Sequence, residues 1–352
     1  MAKLYGRMLS RDYLVQHAGC LSQIAGVRTF EYRYGRAHGV KALDVRTGSG
    51  LSFVVLLDRA MDIAYAEHNG RPVGWICKNG IAAAPYFENG GLGFLRTFAG
   101  GLITTCGLTQ AGDPGMDGDE VLGIHGRISH LPAEWFTYEE RWEGDELTFR
   151  VQGRVRESSL YAENLVLHRE ISCRLGESVI RIRDVVENQG YNETSFMLLY
   201  HVNFGYPVVC EHTRLHSSAE KVEAWNEPAR QGNGQWERFD LPVPGYQYQS
   251  FLHHMPQNRE RVVAALVNEQ LDFGAYVAYS PKEMPCFNEW KQMGQQDYVV
   301  GLEPGINIPE GRLEARKHGR LATLKAGESY SIAYEIGVLD GTKEIESFLA
   351  TL

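Results

Sequence analysis

From about residue 130 onward the chain alternates apolar with polar residues at a period of two, and that rhythm restricts what it can fold into. Leu147, Phe149 and Val151 interleave with Thr148, Arg150 and Gln152. Tyr330, Ile332, Tyr334 and Ile336 interleave with Ser331, Ala333 and Glu335. Only an extended strand puts residues i and i+2 on one face, so these segments read as strands with one buried and one wet side. Hairpins follow from the turn residues between them. Trp135–Trp142 returns through Glu143-Gly144-Asp145 into Leu147–Val151, and Leu165–Leu175 returns through Gly176-Glu177 into Val179–Val186. Upstream, Leu51–Leu57 is an apolar run broken by Ser52 and ended by Asp58-Arg59. Helical periodicity is scarce, and its best candidate is the short Thr342–Leu349. The expected fold is all-β, a large antiparallel β-sandwich of stacked sheets with few short helices. No linker, repeat or low-complexity segment divides the chain. We therefore expect one domain over residues 1–352, with the first 40 or so residues as an extension packed on it.

The bulk chemistry excludes several function classes. A net charge of −9 argues against nucleic acid, whose binding needs Lys and Arg on phosphate. The six cysteines (Cys20, Cys77, Cys106, Cys173, Cys210 and Cys286) are scattered without a CxxC pair, so reduced, mostly buried thiols are expected. No apolar run approaches the roughly 18 residues of a membrane span. The N-terminus carries Arg7, Arg11 and Asp12 and no apolar signal core, so a cytoplasmic protein is expected.

Two segments suggest acid–base chemistry. Tyr200-His201-Val202-Asn203-Phe204-Gly205-Tyr206-Pro207 ends an apolar, strand-like run with a histidine and then turn formers. Val299-Val300-Gly301-Leu302-Glu303-Pro304-Gly305 ends another with a carboxylate before a Pro-Gly break. A His and a Glu at strand exits suit proton transfer. The same residues also fit a structural histidine and a solvated strand end.

The least regular region, Gly90–Pro132, holds Gly100-Gly101 and then His125-Gly126-Arg127. If the latter is extended, both side chains point to one side and share a ligand such as sugar hydroxyls or a carboxylate. Gly100-Gly101 fits phosphate cradling only weakly, since neither GxGxxG nor GxxxxGK[ST] is present. Arg59, in Asp58-Arg59, is either a ligand contact or part of an ordinary turn. Trp290 reads as core or rim packing, with a sugar-stacking platform as the other reading. His253-His254 shows no partner pattern and is expected at the surface. His212 and His216 form the one HxxxH, but on a strand they stand roughly 13 Å apart, which disfavours a shared metal. HExxH and GxSxG are absent. No metal and no cofactor are expected.

Taken in order, these segments resemble the aldose 1-epimerase (galactose mutarotase-like) superfamily, in particular its DUF4432-type bacterial branch. The carriers are Asp58-Arg59-Ala60-Met61-Asp62-Ile63, Gly100-Gly101-Leu102 with Thr105-Cys106-Gly107-Leu108, His125-Gly126-Arg127, Leu199–Gly205 and Gly301-Leu302-Glu303-Pro304. The resemblance runs from about Leu51 to Leu339. It implies a β-supersandwich and a sugar-binding cleft across one sheet. It implies His201 as general acid and Glu303 as general base, with His125, Arg127 and, more loosely, Arg59 as substrate contacts; Asn203 is a further candidate substrate contact. Val-Asn-Phe-Gly after His201 departs from the Asn-His-x-Tyr-Phe-Asn pattern of the galactose enzymes, which leaves the sugar open. The expected partner is a small-molecule sugar, neutral, acidic or phosphorylated, and a homodimer is compatible with the chain. The expected reaction is anomer interconversion by ring opening and closing. Alternatives of other classes are a non-catalytic sugar sensor on the same fold and an epimerase or lyase acting at another carbon.

Overall fold

The computed structural model describes residues 1–232 and 234–352. The alternating half of the chain forms an antiparallel eight-stranded sheet. Its order is Ala133–Glu143, Glu146–Ser158, Asn164–Arg174, Val179–Asn188, Ser329–Asp340, Phe273–Tyr279, Val262–Asn268 and Thr213–Ser217. The two expected hairpins are present; Leu147–Val151 runs on to Ser158, and the other strand ends fall within two residues of those expected. Thr342–Leu349 is helical.

A second, seven-stranded antiparallel sheet runs Ile103–Leu108, Thr194–Phe204, Tyr298–Gly305, Cys286–Met293, Gln249–His254 and Lys221–Ala224, with Ala322–Leu324 on the start of Thr194–Phe204. The two sheets face each other across one apolar core. Leu147, Phe149, Val151 and Ile182 from the first sheet meet Leu198, Tyr200, Val202 and Leu302 from the second. A five-stranded sheet from Gly26–Glu31 to Arg71–Pro72 abuts them. The first residues share the same core, since Ala2, Leu4, Leu9 and Leu14 are buried within it. No described helix is long and apolar enough to cross a membrane.

Ile103–Leu108 corrects the expectation that Gly90–Pro132 is simply irregular. All six of its residues are buried, and it pairs with Thr194–Phe204 along its whole length. A strand covered on both faces shows no polar alternation, so periodicity could not reveal it. The glycines just upstream serve packing. A side chain on Gly100 would meet the Trp75 ring at 2.6 Å, so the pair lets the backbone approach that ring closely.

Between the sheets lies a buried charge cluster. Arg169 donates to Asp184 at 2.7 Å and to Asp62 at 2.8 Å, and Tyr200 Oη donates to Asp184 at 2.6 Å. Thr105 Oγ1 donates to Asp62 at 2.6 Å. Ions this deep persist because every charge has a partner. The cluster ties the first sheet to Tyr200 and Thr105, which sit on the strands that carry the candidate site on their other face.

Candidate active site

Strand alternation sorts the Thr194–Phe204 residues between the two faces. Leu198, Tyr200, Val202 and Phe204 enter the inter-sheet core, while Met197 and Leu199 pack elsewhere, against Cys106, Ala111 and Ala315. His201 and Asn203 share the face of Met197 and Leu199. The partner strand pairs Val202 with Leu302 and Leu199 with Gly305, a register that sets His201 directly across from Glu303. Next to it, Asn288 pairs with Glu303 and Trp290 with Gly301. Three strands thus deliver His201, Glu303, Asn288 and Trp290 to one face.

Neither acid–base candidate stands at a strand exit. The histidine strand continues through Phe204 and the glutamate strand through Gly305, so both side chains are held within ladders. Pro304 interrupts the ladder by one missing N–H rather than ending it. His201 is 5% exposed and Glu303 is 2% exposed. Their side chains meet, with His201 Nε2 3.0 Å from Glu303 Oε1. The approach is off-axis, a charge contact without an aligned hydrogen bond, and both Glu303 Oε1 and His201 Nδ1 are left without one. The other carboxylate oxygen, Oε2, accepts from Asn288 Nδ2 at 2.7 Å.

Burial raises the Glu303 pKa, but the charge and contact of His201 and the Asn288 hydrogen bond outweigh it. The net result holds Glu303 below the ordinary carboxylate value, so it is ionised at neutrality. Gly301 makes room for the pair. A side chain there would stand 2.6 Å from Glu303 Oε1 and 3.0 Å from His201 Cε1.

Aromatic rings wall the pair. Trp290 lies 5.2 Å and Phe98 5.4 Å from the His201 ring, both edge-on, and Trp75 lies 6.4 Å from Trp290. Trp75 also borders a neighbouring cavity of about 640 Å³ that includes Tyr65 and Tyr206. The His201–Glu303 pair does not line that cavity.

His125 and Arg127 do not share a face. His125 (φ 62°) and Gly126 (φ 74°) are both left-handed, so the segment turns instead of extending. The turn sends the two side chains to different partners. His125 joins the site, its ring 5.7 Å from that of His201 and perpendicular to it. Burial and the nearby His201 charge lower its pKa to about 4, so it is neutral at pH 7. Gly112 N–H donates to its Nδ1 at 3.4 Å, which leaves Nε2–H as a donor. Arg127 donates to Asn89 at 3.0 Å and to Glu120 at 3.2 Å, and it lies 3.7 Å from Glu163.

Arg59 is not a free donor at a cleft wall. The residue is 4% exposed, and its guanidinium donates to the carbonyls of Ser129 (2.5 Å), Ala82 (2.7 Å) and Thr97 (3.2 Å). It also contacts His130 Nε2 at 2.9 Å. Burial and this guanidinium press the His130 pKa to about 2. The turn around Arg59 needs a long cation to satisfy carbonyls that have no strand partners. Asn203 is fully buried and donates to Gly101 O (3.0 Å) and His201 O (2.9 Å), while its Oδ1 has no partner.

His253 corrects the surface expectation. It faces inward on its strand, 3.1 Å from Glu289 and 3.0 Å from Ser217 Oγ, while exposed His254 contacts Glu223. The alternation of Gln249–His254 separates these neighbours onto opposite faces. Among the described residues no group of three or more His, Cys, Asp or Glu side chains is arranged to hold a metal. Asn288 was missed from sequence. Its signal was the period-two spacing to Trp290, which becomes informative only once the pairing to Glu303 is known.

A family model described as a domain of unknown function, DUF4432, matches residues 37–338. No curated protein matches the sequence. Among solved structures, a candidate aldose 1-epimerase from Klebsiella pneumoniae superposes with a TM-score of 0.88 at 22% identity, covering 94% of this chain and 89% of that one. A galactose mutarotase-like protein from Clostridium acetobutylicum gives 0.60 at 14% identity over 90% and 99% of the two chains. Galactose 1-epimerase from Lactobacillus acidophilus gives 0.59 at 14% identity over 90% and 100%. At these identities the likeness establishes the shared all-β fold.

Proposed function

The chain belongs to the DUF4432 family, and on that premise we propose that it is a carbohydrate-active isomerase, interconverting sugar anomers in the manner of an aldose 1-epimerase. The observation that carries the reading is the His201–Glu303 pair, 3.0 Å apart on one face, with the carboxylate held ionised.

Anomer exchange opens the hemiacetal. The proton leaves the C1 hydroxyl, the C1–O5 bond breaks, and the ring oxygen gains a proton. Both oxygens are bonded to C1, so the acid and base that serve them must be neighbours. Two side chains directly across adjacent strands meet that requirement. Glu303 takes the hydroxyl proton and His201 gives one to the ring oxygen. After rotation about C1–C2 the transfers reverse, and the carbonyl closes on its other face. Each transfer is worth roughly 10²–10⁴ in rate. Neutral His125 supplies an Nε2–H donor for charge developing on oxygen. Trp290 and Phe98 offer apolar surface to the sugar's C–H bonds. The placement of Arg59 and Arg127, each engaged with protein partners, favours a neutral sugar over an acidic or phosphorylated one.

The test is anomeric exchange in single-anomer aldoses followed by NMR, with His201→Ala and Glu303→Gln. Both should abolish the acceleration. Incorporation of solvent deuterium at a ring carbon would instead reveal epimerisation at a C–H bond.

A further inference from the structure

Asn288 is clamped at both ends of its amide. Ser250 Oγ donates to Asn288 Oδ1 at 2.7 Å, and Asn288 Nδ2 donates to Glu303 Oε2 at 2.7 Å. Ser250 is anchored in turn, its N–H donating at 3.1 Å to Asn226, the residue that caps the helix Glu227–Gln231. Ser250, Asn288, Glu303 and His201 are all buried.

The order of donors gives this chain a direction. An amide has one donor end and one acceptor end, and a carboxylate only accepts. With the Ser250 hydroxyl committed to Oδ1, the NH₂ must face Glu303. A flipped amide would set a carbonyl oxygen against the carboxylate. The bonding is also lopsided. Oε2 is satisfied, whereas Oε1 has no aligned partner although it is buried.

Glu289 provides an internal contrast. It is equally buried, on the opposite face of the Asn288 strand, and one of its oxygens likewise lacks a partner; the other has His253 at 3.1 Å but no amide donor. Its carboxyl is pushed up by burial, against the pull of His253, whereas Glu303 ends below the ordinary value. The titratable groups that act on Glu303 are His201 and His125, while Glu289 and the Cys106 thiol are each raised by burial and, in smaller part, by Glu303. The thiol and His125 are both neutral at pH 7, so among these groups His201 and the Asn288 amide govern the carboxylate.

We propose that Asn288, oriented by Ser250, is a positioning residue that keeps Glu303 ionised and turned so that Oε1 meets the reacting proton. This rests on Glu303 being the base of the proposed reaction. It adds a requirement at two residues outside the acid–base pair.

The experiment is a titration of the full chain carrying glutamate labelled with ¹³C at the side-chain carboxyl, in which Glu303→Gln identifies the signal. Asn288→Leu should move the Glu303 midpoint upward, Ser250→Ala less so, and Asn288→Asp most, because a second carboxylate then faces the first. In anomer exchange the acid limb of kcat/KM should move the same way. Asn288→Leu should lower kcat roughly ten- to a hundredfold, the worth of a hydrogen bond to a charged group, with KM little changed. An unmoved carboxyl midpoint in both Asn288→Leu and Ser250→Ala overturns the proposal. So does a loss of rate with an unmoved acid limb, which marks a merely structural role. Ser250→Ala removes one hydroxyl and keeps the test available if Asn288→Leu fails to fold. If the native chain exchanges no anomers, the functional reading fails, while the carboxyl titration still decides whether Asn288 controls Glu303.

Discussion

Glu303→Gln separates catalysis from stability more cleanly than any other change at this site. The amide keeps the shape of the side chain and can still accept from Asn288 Nδ2, now 2.7 Å from Oε2. What it removes is the negative charge 3.0 Å from His201 Nε2 and the capacity to take a proton. If Glu303 is the base, the rate should fall by about two to four decades, or roughly 2.7–5.4 kcal/mol of barrier at 1.36 kcal/mol per decade. The melts read the stability cost separately, since removing one partner of a buried pair costs up to about 3–5 kcal/mol. The sign of the pH effect is also defined. Glu303 titrates below its unfolded value, so its stabilising contribution is fully present above the ordinary value of 4.5 and is lost as pH falls through the folded one. The native protein should therefore show an acid-side loss of stability that Glu303→Gln lacks. Anomeric exchange by NMR, with thermal melts from pH 3 to 8, measures both quantities. A variant that keeps its rate within about threefold of native would refute the assignment of Glu303 as base, since even the weakest general base contributes about a hundredfold.

Three further outcomes are expected. Gly301→Ala should cut activity by at least tenfold without unfolding the chain, because the new methyl stands 2.6 Å from Glu303 Oε1 and forces the pair apart; exchange rates alongside circular dichroism check this. The His125 ring should titrate near pH 4, staying neutral from pH 5 to 8, which ¹⁵N-detected NMR with His125→Gln as the reference would show. Arg59→Met should destabilise by about 3–5 kcal/mol, the usual cost of breaking a buried polar network, with KM unchanged in whatever population remains folded. A large KM effect would return Arg59 to the substrate.

The fold was legible because half-buried strands announce themselves. The hairpins that turn after Trp142 and Leu175 carry polar residues on one side and turn glycines between them, and their strand ends lie within two residues of the expected ones except where Leu147–Val151 runs on to Ser158. Strands covered on both faces left no such trace, which is why Ile103–Leu108 was hidden. At the site, His201 and Glu303 were visible as polar residues within apolar runs. Their placement at strand ends was wrong, because Val-Asn-Phe and Pro-Gly look like turns when the covering layer is unknown. His125 and Arg127 were paired by assuming extended backbone, and two left-handed residues parted them.

The sequence by itself determined which residues point together along a strand, since alternation at period two is a property of the local backbone. It therefore settled the all-β class, the hairpins and the existence of isolated polar side chains in apolar surroundings. Register between distant strands was decided only by the tertiary structure. Residues 201, 288 and 303 meet because Val202 pairs with Leu302 and Asn288 with Glu303. A slip of one residue would turn either side chain to the opposite face, and that choice belongs to the packing of two sheets around one core.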